Sequence, residues 1–207
     1  MKNFCTLYIV RHGETDWNVC HLVQGQSDIP LNKNGEWQAK EMGKKLRRIH
    51  FTAAFSSDLL RTKKTTELII LEKEIAIQTT KVLRERNYGR LEGKSWLTDS
   101  QELKLLWEKT YTLTDEQRKK YRLEKVENNE DLMKRFIPFI RELAIAYPDK
   151  NVLIVTHGGL MRAFLNHLGF MIESGSIKNT AYIKLVSDGV DFFVKETYGV
   201  FFPLPGH

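Results

Sequence analysis

Two stretches of this 207-residue chain are apolar at every position for the length of a strand. They are Leu7-Tyr8-Ile9-Val10 and Val152-Leu153-Ile154-Val155. A run with no polar alternation reads as a strand buried on both faces. Thr52-Ala53-Ala54-Phe55-Ser56 reads as a shorter buried strand, and Ile75 to Thr79 alternates like another. Between the first two of these strands, Ala39, Met42, Leu46 and Ile49 recur at helical spacing, in a segment that Asn32 opens as N-cap and that runs to about Arg48. Ser57 and Asp58 are suited to cap a helix over roughly Leu59 to Leu71. The order β-α-β-α-β predicts an α/β fold whose central sheet is mainly parallel, with helices on both faces. Asp16 to Pro30 is too polar for core, and Leu83 to Gly93 is rich in charge and glycine; both read as loops.

The pattern changes from Ser95 to Glu130. Charged residues there alternate with Trp96, Trp107, Tyr111 and Tyr121, and two capping boxes, Thr98 with Gln101 and Thr114 with Gln117, predict two short helices. We read the segment at about 95–130 as a helical insertion that caps the carboxyl edge of the sheet. Two surface helices with aromatic undersides are the plainer alternative. Leu132, Phe136, Ile140 and Leu143 mark the buried face of a helix from about Glu130 to Tyr147, and Pro138 within it predicts a kink or local break. A helix follows the second long strand as far as Leu168, with Gly169 as its left-handed stop. Ala181 to Val186 and Asp191 to Thr197 flank Ser187-Asp188-Gly189 and predict an antiparallel pair at one edge. No repeat or linker divides the chain, so one domain is expected over residues 1–207.

Hydrophobic residues make up 42% and charged residues 28%, which excludes a disordered or fibrous chain. The net charge of +6 suits anionic ligands as well as solubility. There is no zinc-finger spacing, RNP-like motif or long basic block, so nucleic acid is not an expected partner. No stretch has the length and apolarity of a membrane span. The first apolar run stops at Arg11 without a signal-peptide cleavage site. Cys5 and Cys20 are too few for a disulfide framework, and both are expected reduced. A cytoplasmic protein is the expectation.

Both long apolar strands end in a histidine followed by glycine, at His12-Gly13 and His157-Gly158. As neighbours in a parallel sheet they would emerge side by side at its carboxyl edge, where open α/β sheets bind ligands. Arg11 adjoins His12, and Arg61 begins a helix that follows a short strand. A helix starting just past His157 would turn free N–H groups to an anion. Two guanidiniums, two imidazoles and a helix start suit a doubly charged oxyanion, phosphate best of all. No carboxylates or cysteines stand at metal-ligand spacing, so neither a metal nor another cofactor is expected. No Walker-type loop is present. Arginines beside an imidazole disfavour its cation and leave a neutral nitrogen as nucleophile. The leaving alkoxide then needs a proton. Glu85 in the polar loop is the best-placed acid, but Glu92 and Glu14 stay open, as does a plain salt bridge from Glu85 to Arg84 or Arg86.

Val10-Arg11-His12-Gly13-Glu14-Thr15 with Trp17-Asn18 resembles the signature of the histidine phosphatase superfamily, also called phosphoglycerate mutase-like. The likeness continues in Gln24-Gly25, Asp28, Pro30-Leu31, Gly35 and Gln38-Ala39. It runs on through Ser56-Ser57, Leu60-Arg61-Thr62, Leu83-Arg84-Glu85, Gly89, Glu92-Gly93, His157-Gly158 and Arg162. The resemblance implies a three-layer α/β/α sandwich. It implies His12 as the phosphorylated nucleophile, with Arg11, Arg61 and His157 holding the phosphoryl oxygens. Glu85 would serve as general acid and then as base for water. Asn18 would belong to the phosphate pocket, and Gln24 with Gly25 to a substrate-side loop. Gly158 matches the mutase and phosphatase branch rather than the His-Asp branch. Members often carry Gly-Glu-Ser before the last long helix, where this chain has Val126-Glu127-Asn128-Asn129-Glu130. The glycolytic mutases are usually longer, so the short chain implies a phosphatase acting on a small, anionic phosphorylated substrate. The alternative is a 2,3-bisphosphoglycerate-dependent phosphoglycerate mutase. A non-catalytic anion- or nucleic-acid-binding module is a third reading, and the intact Arg11, His12, Arg61, Glu85 and His157 set argues against it.

Overall fold

The computed structural model describes residues 3–97, 126–173 and 175–202. Both capping boxes expected between 95 and 130 lie outside the described residues. The strands are β1 (Cys5–Arg11), β2 (Phe51–Ser57), β3 (Ile77–Thr80), β4 (Asn151–Thr156), β5 (Ile177–Ser187) and β6 (Phe192–Val200). The α-helices among the described residues are α1 (Asp16–Val19), α2 (Lys33–Lys45), α3 (Leu60–Ile69), α4 (Asn129–Ala146) and α5 (Gly158–His167). The strands form one sheet in the order β3-β2-β4-β1-β5-β6. Neighbours from β3 to β1 pair in parallel, and β5 pairs antiparallel with both β1 and β6.

The continuous apolar runs have a simple cause, because each of the two central strands is covered on both faces. Leu7 and Ile9 of β1, with Val152 and Ile154 of β4, pack against Leu132, Phe136, Ile140, Leu160 and Phe164 of α4 and α5. Tyr8, Val10, Leu153 and Val155 point the other way and pack with Met42 and Leu46 from α2 and its end, and with Ile69 of α3. Side chains alternate across a strand, so a strand with helices on both sides needs apolar residues at every position. The result is the expected three-layer α/β/α sandwich.

Several local expectations change. The Asp16–Pro30 segment contains the short helix α1, because Thr15 and Asn18 close a capping box around its first turn. The N-cap of α3 is Leu59, with no side-chain cap of its own. Asp58 is drawn instead to Arg84, with both contacts at 2.7 Å, and the Leu60 N–H donates to Asp28 Oδ1 at 2.6 Å. The helix α4 runs through Pro138 as one element of 18 residues. Pro138 is exposed, so the carbonyl it leaves unpaired faces solvent, while Leu132, Phe136, Ile140 and Leu143 keep the inner face packed. Gly169, at φ +90°, follows the C-cap of α5 as expected. The strand β5 starts at Ile177, four residues earlier than Ala181, with an irregularity at Thr180 (φ +57°).

Candidate active site

Arg11 and Thr156 are register partners in the parallel β1/β4 pair. One step further on, His12 and His157 leave the sheet together, with ring centroids 5.2 Å apart. The His12 N–H donates to the Thr156 carbonyl at 3.0 Å, which ties the two strand ends. His12 is only 4% exposed, and its Nδ1 lies 2.7 Å from the Gly13 carbonyl. A carbonyl oxygen only accepts, so Nδ1 carries the ring proton and Nε2 keeps its lone pair. Burial first, then Arg61 and Arg11, hold the His12 imidazole well below the ordinary histidine pKa. His157 is fully buried, N-caps α5 without a side-chain bond, and has no partner at either ring nitrogen. Burial and then Arg61, His12, Arg135 and Arg11 lower its pKa in the same way.

Both arginines are held by main-chain carbonyls on one side and bare on another. Arg61 donates from Nη1 to Ser27 O and from Nη2 to Gly25 O, each at 2.7 Å. Arg11 donates from Nη1 to Ile177 O. The Nε of each is buried and unpartnered. Burial lowers both guanidinium pKa values to about 10, so both remain cationic at neutral pH. Buried polar atoms nearly always have partners, and an orphan costs about 1–3 kcal/mol. Here Arg11 Nε, Arg61 Nε and both nitrogens of His157 belong to side chains clustered around His12. A tetrahedral oxyanion is the ligand that would satisfy such a set.

The carboxylates sort themselves by partner. Glu14 accepts from the side-chain amides of Asn32 and Asn34, and Glu92 accepts from the backbone of Gln26, Ser27 and Tyr88. Glu85 accepts from the backbone N–H of Arg86 on Oε1 and of Gly159 on Oε2, both at 2.8 Å. It makes no salt bridge to its neighbours in sequence. Arg84 is engaged by Asp58, and the Arg86 guanidinium by Glu127 O and Asn129 Oδ1. The loop that carries Glu85 is tied to the end of β4 by Thr156 Oγ1, which donates to Leu83 O at 2.8 Å.

A cavity of about 480 Å³ opens over this edge. Arg11, His12, Asn18, Gln24, Gly25, Arg61, Glu85 and Gly158 line it. His157 is buried directly beside His12, behind the lining residues. Asn18 Oδ1 accepts from Thr15 N and from Asn179 Nδ2, which sets the orientation of its amide. Gln24 contributes a buried, unpartnered Oε1. Trp17, Tyr88 and Trp96 form an aromatic side of the cavity. The chain at His21–Val23 is stitched to Gly93–Trp96 by backbone hydrogen bonds from Val23 N to Lys94 O and Trp96 N to His21 O, both at 2.9 Å, and from Gly93 N to Val23 O at 2.8 Å. Two participants are not among the residues that the sequence motifs single out. Asn179, at the irregular start of β5, donates to the His12 carbonyl at 3.2 Å. Gly159 supplies an N–H to Glu85, and a Cβ there would lie 2.5 Å from Glu85 Oε1. The doubled glycine after His157 was the available clue to the second.

Fold and site together define a protein of the phosphoryl-transfer class built on paired histidines. The chain belongs to the histidine phosphatase superfamily (branch 1), which matches residues 7–197, and it is an enzyme of that family. It is 35% identical over 160 residues to the uncharacterised phosphatase PhoE of Bacillus subtilis, covering 77% of this chain and 75% of that one. It is also 35% identical over 190 residues to a 2,3-bisphosphoglycerate-dependent phosphoglycerate mutase of Cytophaga hutchinsonii, covering 87% and 83%. Among solved structures it is similar to Bacillus stearothermophilus YhfR, with a TM-score of 0.81, 26% identity, and 92% and 95% of the two chains covered.

Proposed function

We propose that the chain, as a single domain over residues 1–207, hydrolyses a small phosphomonoester through a phosphohistidine on His12. The observation that carries this reading is the His12 tautomer. With Nδ1 donating to Gly13 O, the unprotonated Nε2 is the nitrogen left for attack beside a cluster of unpartnered cationic and imidazole donors. Nε2 attacks phosphorus, the bond to the ester oxygen breaks, and Glu85 delivers a proton to the departing alkoxide. The ring gains positive charge in this step, and its Nδ1–H bond to Gly13 O strengthens accordingly. Arg11, Arg61 and His157 donate to the equatorial phosphoryl oxygens as charge spreads over them. Glu85, now ionised, takes a proton from water, which attacks the phosphohistidine and releases phosphate. Asn18 adds an amide donor to the pocket, Gly158 a backbone N–H at the start of α5, and Gln24 with Gly25 the substrate-side wall.

Among the described residues no group of three or more His, Cys, Asp or Glu is arranged to hold a metal. No helix among them is long and apolar enough to cross a membrane. We read the enzyme as metal-independent and the cytoplasm as its compartment; turnover that survives exhaustive chelation is the expected outcome for the first. The second reading is a bisphosphoglycerate-dependent phosphoglycerate mutase, favoured by the mutase relative that matches 87% of the chain. One experiment separates them: a phosphomonoester panel with and without 2,3-bisphosphoglycerate, paired with alkaline quench and mapping of the labelled enzyme. Hydrolysis without the bisphosphate, label on His12, and loss of both in His12→Ala are expected. Isomerisation that needs the bisphosphate would assign the mutase, and label elsewhere would remove His12 from its role.

A further inference from the structure

Arg61 is a long side chain that must hold one orientation to serve a phosphoryl group. Its backbone and its guanidinium are both fixed by a single turn, Gly25 to Asp28. Asp28 Oδ1 accepts the Leu60 N–H at the start of α3, and the carbonyls of Gly25 and Ser27 accept from the two Nη groups. The turn has little apolar anchorage, since Gly25, Gln26, Ser27 and Asp28 carry no hydrophobic side chain. The Gln26 side chain ties it to the next loop, donating to Glu85 O at 3.2 Å and accepting from Arg84 Nη1 at 3.3 Å, and the backbone N–H groups of Gln26 and Ser27 are taken by one carboxylate. Glu92 Oε1 accepts from Gln26 N at 3.0 Å and from Tyr88 N at 3.2 Å. Glu92 Oε2 accepts from Ser27 N at 2.8 Å and from Ser27 Oγ at 2.7 Å. Glu92 is not on the cavity wall.

We infer that Glu92 is a positioning residue for catalysis, acting through the Gly25–Ser27 turn to aim the Arg61 guanidinium at the phosphoryl group. Two further observations fit this arrangement. Both oxygens of Glu92 face backbone N–H donors, so an amide in its place must turn its NH2 against at least one of them. Gly25 sits at φ +51°, and a Cβ on it would lie 2.2 Å from Glu92 Oε1. The glycine is therefore required by the carboxylate as well as by the backbone. The inference rests on the proposed phosphate site, and it extends that site to a residue that touches no substrate.

The test is a double-mutant cycle on kcat and KM with a phosphomonoester, using Arg61→Ala, Glu92→Gln and the pair. Arg61→Ala is expected to lower kcat about a hundredfold or more, the scale of one strong oxyanion donor. Glu92→Gln is expected to lower kcat roughly tenfold or more with a much smaller change in KM, because the aimed cation acts most in the transition state. In the Arg61→Ala background, Glu92→Gln should change kcat less than about twofold. Gly25→Ala pushes the same carboxylate from the other side and should show the same dependence on Arg61; it carries the test if Glu92→Gln fails to fold. Losses that multiply in the double variant, or wild-type kcat in Glu92→Gln, overturn the positioning role. Wild-type kcat in Arg61→Ala would instead overturn the phosphate site on which it rests.

Discussion

At the scale of single residues, the site is defined by groups kept neutral or unpaired at a cost. His12 and His157 are buried among arginines, and both have pKa values well below the ordinary 6.5. In the unfolded chain each returns to that value. Below about pH 6.5 the unfolded state therefore binds protons that the folded state refuses, and stability falls as pH falls. Each histidine contributes a slope of up to about 1.4 kcal/mol per pH unit in this window. Urea unfolding of the wild type between pH 7 and pH 5 should show this decline, and His157→Ala should make it shallower. An equal slope in His157→Ala would mean that other groups carry the acid sensitivity. The unpartnered Nε atoms of Arg11 and Arg61 belong to the same balance. Their desolvation is compensated once an oxyanion binds, so orthophosphate should stabilise the fold by linkage.

At the scale of elements, the start of α5 decides where the Glu85 carboxylate, the proposed acid, sits. His157 follows β4 as the N-cap of α5, and Gly158 and Gly159 form the first turn of the helix under Arg11 and Glu85. A Cβ on Gly158 would lie 3.1 Å from Arg11 Nε, and one on Gly159 would lie 2.5 Å and 2.9 Å from the two Glu85 oxygens. Gly159→Ala should therefore displace the Glu85 carboxylate while leaving the arginines in place. The expected outcome is a kcat loss concentrated on substrates with poor leaving groups, such as alkyl phosphates. An activated aryl phosphate, which needs little proton help, should be largely spared. The comparison of the two substrate types in the same variant is the measurement, and a uniform loss across both would show that the glycine serves only packing. The approach of Gly13 to Gly35, where a Cβ on Gly13 would stand 2.4 Å from the Gly35 carbonyl, makes the same point for the join between β1 and α2.

At the scale of the whole molecule, the sheet order places β4 between β2 and β1, so the last parallel strand to form in sequence sits at the centre. Arg11, His12 and His157 gather at the carboxyl ends of β1 and β4 at this centre, the place the crevice rule for open α/β sheets gives to a ligand. The aromatic side of the cavity is built separately, by the stitched pair His21–Val23 and Gly93–Trp96. Trp96 packs edge-on to Tyr88 with ring centroids 6.3 Å apart. Trp96→Ala should re-rank substrates that differ in their leaving group while leaving the rate of dephosphorylation of the phosphoenzyme unchanged. An unchanged ranking would make this wall a surface of the fold rather than part of the recognition.

By itself the sequence determined the layers and the meeting of His12 and His157 at one sheet edge. A strand buried on both faces must be apolar at every position, and a helix packed on a sheet must repeat its apolar residues every three to four positions; both rules are local. Two such strands ending in His-Gly were enough to place His12 and His157 at one edge. Only the tertiary structure shows what each carboxylate meets. Residue chemistry left Glu14, Glu85 and Glu92 open because each is a polar residue in a polar stretch. Their different tasks come from partners 18, 74 and 66 positions away in the chain: Asn32, Gly159 and Gln26. The same holds for Asn179 and for the cap that Asp28 lends to α3. A hydrogen bond between distant loops leaves no period in the sequence, so only the folded chain shows which donor each carboxylate meets.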